Sequence, residues 1–174
     1  MSGDIDKQIV EDFVSESKTL IQGLMEILED AEGDPLQVKR LEDYGNQVDR
    51  IMGGAKSLAI MANSEHALHV IGDYAALCKA VGYKASQIQK NDQFYDICVG
   101  LLLDATETLN MLLDQMDMTA SDIKKTLATT FLERLRWVSQ QFGANVSASV
   151  TVKTQDEKVL SQSEIDELMK KLGM

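Results

Sequence analysis

Proline occurs once in this sequence, at position 35, and aromatic residues make up only 5% of it. β-Sandwiches and barrels draw on aromatic residues and on turns punctuated by proline and glycine, so this scarcity argues against them. No run of about 18 uncharged apolar residues occurs, which excludes a membrane-spanning helix from the expected elements. The opening residues MSGDIDKQ carry no apolar signal region, and the expected compartment is the cytoplasm. Positive charge is also short. Seventeen Lys and Arg face 28 Asp and Glu, for a net charge of −11. Such a chain repels phosphate backbones, and its basic residues cluster no further than short pairs, Lys39-Arg40, Lys124-Lys125 and Lys170-Lys171. Neither nucleic acid nor membrane is expected as a partner. Cys78 and Cys98 each sit inside an apolar helical pattern, the setting of buried thiols in a reducing compartment. The two histidines, His66 and His69, lie three apart without a third ligand, so no metal site is expected and both are read as surface or boundary residues.

What the chain has is Leu, Met, Ala, Glu and Lys, the residues that favour helices. At 174 residues it is long enough to bury roughly 70% of its unfolded surface without metal or disulfide staples. Ile9, Phe13, Leu20, Leu24, Ile27 and Leu28 recur at helical spacing over residues 5–31, with Asp4 as N-cap and Gly33-Asp34-Pro35 as the stop. A second helix is expected from Pro35 to about Met61 on Leu41, Tyr44, Val48, Ile51, Ala55 and Leu58. Gly53-Gly54 interrupts it, a pair that suggests close approach of another backbone or a partner. A third helix opens at Ser64-Glu65 and ends at Gly82, and residues 83–91 read as a loop with a short helical turn. A fourth covers about 92–117, its inward positions including Ile97. A fifth runs from Thr119 or Ser121 to about Phe142, with Trp137, Phe131 and Phe142 expected in the core. Asp73 and Asp104 read as solvated.

Composition shifts after Gly143. Residues 144–159 are small, polar and β-branched, without helical period, and a lone strand would have no partner, so they read as a flexible linker. Residues 160–174 regain a stripe of Leu160, Ile165, Leu168, Met169 and Leu172, with Ser161 or Ser163 as N-cap. A helix of about 12 residues is marginal alone in water. Beyond a linker, it either docks on its own bundle or waits for a groove on a partner. The expected organisation is therefore all-α: a bundle over 1–143, a linker over 144–159 and an amphipathic helix over 160–174.

The stretch Tyr44-Gly45-Asn46-Gln47-Val48-Asp49-Arg50-Ile51-Met52-Gly53-Gly54-Ala55-Lys56 resembles the phosphotransfer (Hpt) domain of CheA-type kinases. That family's pattern is roughly A-H-[ST]-[IL]-K-G-[GS]-A-G, and Ile51, Gly53, Gly54 and Ala55 match it. The resemblance implies a five-helix Hpt-like bundle with a four-helix core. Asp49 stands where the family has its phosphoacceptor His, and Met52 where it has Lys. A chain without that His is no histidine phosphocarrier. What the resemblance leaves is a scaffold that meets receiver domains, with Asp49, Arg50, Gly53 and Gly54 on the expected docking face.

The C-terminal segment Ser161-Gln162-Ser163-Glu164-Ile165-Asp166-Glu167-Leu168-Met169, ending Leu172-Gly173-Met174, resembles the C-terminal peptide of the CheZ phosphatase family. It also resembles the N-terminal peptide of the flagellar-switch FliM family. Both peptides bind CheY-type regulators. The resemblance makes Ser161, Gln162, Glu164, Ile165, Asp166, Leu168, Met169 and Leu172 expected partner-binding residues.

CheZ-type phosphatases use a D-x-x-x-Q pair on a helix, and Asp43-Tyr44-Gly45-Asn46-Gln47 has that spacing. One helical turn sets Asp43 and Gln47 on a common face, away from Tyr44, Val48 and Ile51, so both are expected to be accessible. The receiver supplies the phospho-Asp, a Lys and Mg²⁺, leaving only a water to be placed in line with phosphorus. A Gln amide both accepts from and donates to such a water, and Asp43 would hold the partner's Lys. The CheC and CheX families use an acid and an Asn spaced E-x-x-N, which Asp43 and Asn46 fit with Asp for Glu, so Asn46 is the alternative amide. Asp and Gln four apart also occur by chance on solvated helices, and Asp4 and Gln8 repeat the spacing here. The expected activity is dephosphorylation of a phosphorylated CheY-type regulator, with no cofactor of the chain's own. A non-catalytic Hpt-like adaptor that sequesters a receiver is the rival, and self-association through Gly53-Gly54 into a homodimer is a further possibility.

Overall fold

The structure is a computed structural model that describes residues 5–127, 129–145 and 162–173. Within them the chain forms α1 (Lys7–Ala31), a 3-10 turn (Pro35–Gln37), α2 (Arg40–Ala59), α3 (Ala67–Ala85), α4 (Asp92–Leu113), α5 (Ala120–Thr126), α6 (Thr129–Asn145) and α7 (Gln162–Lys171). The described residues contain no strand, only an isolated bridge between His66 and Thr119. No helix among them is long and apolar enough to cross a membrane. The all-α expectation holds.

Short polar side chains start the helices. Asp6 accepts from the Gln8 amide ahead of α1, Asn91 from Phe94 ahead of α4, and Thr119 from Asp122 ahead of α5. Asp4, the expected first cap, lies outside the described residues. The imidazole Nδ1 of His66 accepts from the Leu68 amide, so the cap of α3 is His66 and not Ser64.

Helices α1 to α4 close a ring in which each packs on two neighbours. Cross-helix pairs fix their sense. Glu16–Arg50 and Asp30–Arg40 join α1 to α2, Lys56–Asp73 and Asp49–Lys79 join α2 to α3, and Lys18–Asp114 with Ala31–Tyr95 join α1 to α4. In each set one number rises as the other falls, so the neighbours are antiparallel.

Helix α3 is the centre of the molecule. Only His69, Asp73, Lys79 and Lys84 along its length are even partly exposed. A helix apolar on nearly every side must be covered on nearly every side. Here α2, α4, α5, α6 and α7 all pack on it.

Several boundaries depart from expectation for physical reasons. Helix α3 continues through Ala85, with Gly82 in its interior and Tyr83, Ala85 and Ile88 buried, so the first part of the expected 83–91 loop is core. The expected fifth helix is two: Leu127 turns extended (φ −65°, ψ 127°) and α6 restarts at Thr129. The buried stripe of α6 is Leu132, Leu135, Val138 and Phe142, and Trp137 lies off it, 49% exposed rather than in the core. Phe142 meets Phe94 edge-on at 5.5 Å. Ile9 and Ile97 also face solvent.

The largest correction concerns α7. The sequence leaves open whether this helix waits for a partner, and a tethered handle is the expectation. In the structure it packs on α3 and α6, and its stripe of Ile165, Leu168, Met169 and Leu172 is buried. The physical reason is that α3 still has apolar surface to cover beyond the four-helix ring. Gly173 closes α7 in the left-handed conformation (φ 101°), next to Lys124 of α5. Helix α6 reaches Asn145, so the start of the expected linker is helical, and residues 146–161 lie outside the described ones.

Candidate functional site

Helix α2 buries Leu41, Tyr44, Val48, Ile51 and Ala55 and turns its polar residues outward along both edges. Asp43, Asn46 and Gln47 line one surface groove of about 340 Å³ between α1 and α2, which Arg40, Asp30 and Glu26 complete. The sequence-predicted acid and both candidate amides are therefore brought together. Asp43 is exposed, and its Oδ2 lies 3.8 Å from Arg40 Nε, while Arg40 also reaches Asp30 at 3.5 Å. Such exposed pairs are worth about 0–1 kcal/mol and leave Asp43 able to exchange partners.

The two amides differ in setting. Asn46 is exposed, and its Oδ1 accepts from the Tyr83 hydroxyl of α3. Gln47 is half-buried rather than accessible. Its Oε1 lies where a side chain at Gly23 of α1 would begin, 2.8 Å from that notional Cβ. The glycine lets Gln47 settle into the helix interface. The expectation of full exposure is corrected on that ground.

Asp49, at the position of the phosphoacceptor His in the resembled pattern, pairs with Lys79 of α3 at 2.7 Å. Arg50 is exposed and reaches Glu16 of α1 at 3.3 Å. Gly53 is exposed, and among the described residues nothing lies within 4 Å of a Cβ placed there, so it serves no close approach within them. Gly54 does: the Phe13 ring stands 3.0 Å from its notional Cβ. The Gly53-Gly54 pair is thus half packing and half open surface.

The predicted C-terminal residues divide by face. Ile165, Leu168, Met169 and Leu172 are buried on the bundle, Asp166 is half-buried, and Glu164 is exposed. Gln162 opens α7, and Ser161 lies outside the described residues. A cleft of about 360 Å³ separates α7 from α2 and α3, with Leu168, Ala76, Met52, Lys56 and Lys79 on its walls. Through Lys79 it adjoins Asp49.

The remaining reactive groups are held inert. Burial pushes the Cys78 and Cys98 thiols up to about 12, so neither is a thiolate near neutral pH. Burial raises the hydroxyls of Tyr44 and Tyr74 as well. Tyr44 shares a hydrogen bond of 2.9 Å with Thr106. Among the described residues no three His, Cys, Asp or Glu side chains gather as metal ligands. His66 caps α3, and His69 Nε2 lies 3.1 Å from the Asn63 carbonyl.

Lys79, Tyr83 and Gly23 carry contacts to the site that sequence reasoning did not assign. The first two had a signal, since they are polar or amphipathic side chains four apart in a run that is otherwise apolar. Gly23 had none, because its role depends on which helix faces it.

Comparison with protein families, with curated proteins and with solved structures finds no match to this chain.

Proposed function

We propose that this chain is a cytoplasmic chemotaxis phosphatase acting on a phosphorylated CheY-type response regulator. The observation that supports it most is the shared groove of Asp43, Asn46 and Gln47 on the surface of α2. An exposed acid beside two amides suits an aspartyl phosphate, whose hydrolysis needs a water held in line and little covalent help. Asp43 takes the receiver's Lys as a charge-assisted partner. The Gln47 amide orients the water, with Asn46 as the alternative. Water oxygen bonds to phosphorus, the receiver's carboxylate leaves, and inorganic phosphate departs. Mg²⁺ belongs to the receiver, where it offsets charge on the phosphoryl oxygens, and no residue of this chain is assigned to it. The C-terminal segment, from its resemblance, adds capture of the same regulator.

The half-burial of Gln47 against Gly23 favours a second reading, a non-catalytic adaptor that holds a receiver without hydrolysis. Single-turnover decay of a phosphorylated CheY-type receiver, at saturating chain, separates the two. A phosphatase speeds the decay by about 100-fold, equivalent to about 2.7 kcal/mol, and Asp43→Ala and Gln47→Ala lose most of it. An adaptor leaves the decay unchanged while still binding.

A further inference from the structure

We propose that α7 is an internal competitor for the regulator: docked on α3 and α6 it is withheld, and only the undocked helix binds the receiver. This rests on the reading of the chain as a receiver-binding protein. It does not depend on whether the receiver is hydrolysed.

The apolar surface of α7 is a single stripe. Ile165, Leu168, Met169 and Leu172 are all buried, while Ser163, Glu164, Glu167, Lys170 and Lys171 are exposed. A helix of ten residues has no second apolar face to offer. The same stripe carries the apolar part of the segment assigned to the regulator. One stripe cannot fill two grooves at once, so the two bindings exclude each other.

The dock is specific in its geometry. Leu168 shares a cleft with Ala76 of α3 and Met52 of α2. Met169 and Asp166 lie beside Arg136 of α6. A Cβ placed at Gly173 would stand 3.9 Å from Lys124 Cβ on α5. Met52 is one turn beyond Asp49, and Lys79, which holds Asp49, lines the same cleft. Docked α7 therefore stands across this cleft from the Asp49 side of α2. Release frees the peptide and opens the cleft.

Linkage sets the expected size. Apparent affinity falls by the fraction of chains in which the binding form exists, so a helix docked 99% of the time binds about 100-fold more weakly than a free one. Effector or partner contacts that undock α7 would raise affinity by the same factor.

The test alters the dock and leaves α7 unchanged. Ala76→Glu sets a larger, charged side chain at a buried position beneath Leu168, in a cleft lined by Lys56, Lys79 and Lys171 as well as Glu164 and Glu167, so its bulk and its burial beneath Leu168 are what displace the stripe. Arg136→Glu changes an exposed residue at the other edge of the dock, so it stands if Ala76→Glu disturbs α3. Hydrogen exchange over residues 162–173 reads docking, and titration with a phosphorylated CheY-type receiver reads affinity. The expected result is protection of α7 in the native chain, loss of it in both variants, and affinity raised tenfold or more by Ala76→Glu and threefold or more by Arg136→Glu. Released α7 with unchanged affinity overturns the competition and leaves receiver binding standing. An α7 already unprotected in the native chain overturns it too. No receiver binding by any form, released helix included, removes the receiver-binding reading and this inference together.

Discussion

The ring of Tyr44 on α2 fills the space that a side chain at Gly82 of α3 would occupy: a Cβ there would stand 2.6 Å from Tyr44 Cδ1. The relation is returned one residue on. A Cβ at Gly45 of α2 would stand 2.6 Å from Tyr83 Cε1 of α3. Two Tyr-Gly pairs thus interlock across one helix interface. Each glycine lets the opposing ring lie against backbone, and the two rings anchor different neighbours. Tyr44 shares its hydroxyl hydrogen bond with Thr106 of α4, while Tyr83 donates to Asn46 at the candidate site. The floor of the site is tied to the core through this lock.

Gly82→Ala and Gly53→Ala are expected to move stability in opposite directions. Alanine is the better helix former by about 1 kcal/mol in both places. At Gly82 the added methyl overlaps a buried ring, and overpacking of that kind costs about 1–3 kcal/mol. At Gly53 the site is exposed and open, so the propensity gain of about 0.5–1 kcal/mol stands. Urea midpoints at constant slope measure both changes. Equal shifts of the same sign would contradict the interlock.

The first four helices were legible because one spacing rule applies to each: Phe13, Leu24 and Leu28, or Tyr44, Val48 and Ile51, mark a face without knowledge of its partner. The limits lay where the partner decides. Lys84, Ser86 and Gln87 make residues 83–91 look like a loop, yet Tyr83, Ala85 and Ile88 are core because α3 is covered from all sides. Leu127 breaks a helix that periodicity continues. The stripe of α7 was plain in the sequence, but a stripe does not name its groove. At the site, the Asp43 to Gln47 spacing placed both on one groove, whereas the half-burial of Gln47 depends on Gly23, twenty-four residues away on another helix.

Acid is expected to loosen the start of α5. The Glu65 carboxylate accepts from the Ser121 hydroxyl at 2.7 Å and from the Ser121 amide at 3.3 Å. These bonds hold it below the usual value of 4.5. A carboxyl lowered in the folded state contributes stability above its unfolded value, and the contribution is lost as pH falls through the folded one. Hydrogen exchange at Ser121 and its neighbours should therefore quicken, beyond the intrinsic pH effect, as pH drops below about 4.5. In Glu65→Gln that extra pH dependence should vanish. Its persistence in the variant would assign the effect elsewhere.

Removal of residues 160–174 is expected to lower stability, though by no more than a few kcal/mol. Four apolar side chains are buried by α7, each worth about 1.5–3 kcal/mol. Ordering its ten residues costs conformational entropy that offsets most of this gain. Docking is thus a small balance, and each kcal/mol shifts the melting temperature by about 2–4 °C in a chain of this length. A consequence follows for point substitutions. Ile165→Ala removes a fully buried side chain, which in a core costs about 2–5 kcal/mol. No substitution in α7 can cost more than the docking itself, because beyond that the helix comes away. Ile165→Ala and the truncation should therefore have nearly the same melting temperature. A point variant well below the truncated chain would place α7 inside the cooperative core.

Tyr83→Phe separates the two candidate amides without touching either. It removes the hydroxyl that donates to Asn46 Oδ1 and keeps the ring that covers Gly45. Its stability cost is about 1 kcal/mol, the worth of one hydrogen bond. If Asn46 places the attacking water, its amide orientation is set in part by Tyr83, and the chemical step should change by tenfold or more. Gln47 is positioned by Gly23 on α1 instead, so a Gln47-dependent step should stay within about twofold of the native rate. Single-turnover decay of the phosphorylated receiver at saturating chain reads that step apart from binding. Under the Gln47 assignment Gln47→Ala loses most of the acceleration, Asn46→Ala and Tyr83→Phe keep it, and Gly23→Ala, whose methyl would meet Gln47 Oε1 at 2.8 Å, shifts it by displacing the amide. A slow Tyr83→Phe alongside a fast Gln47→Ala would transfer the role to Asn46.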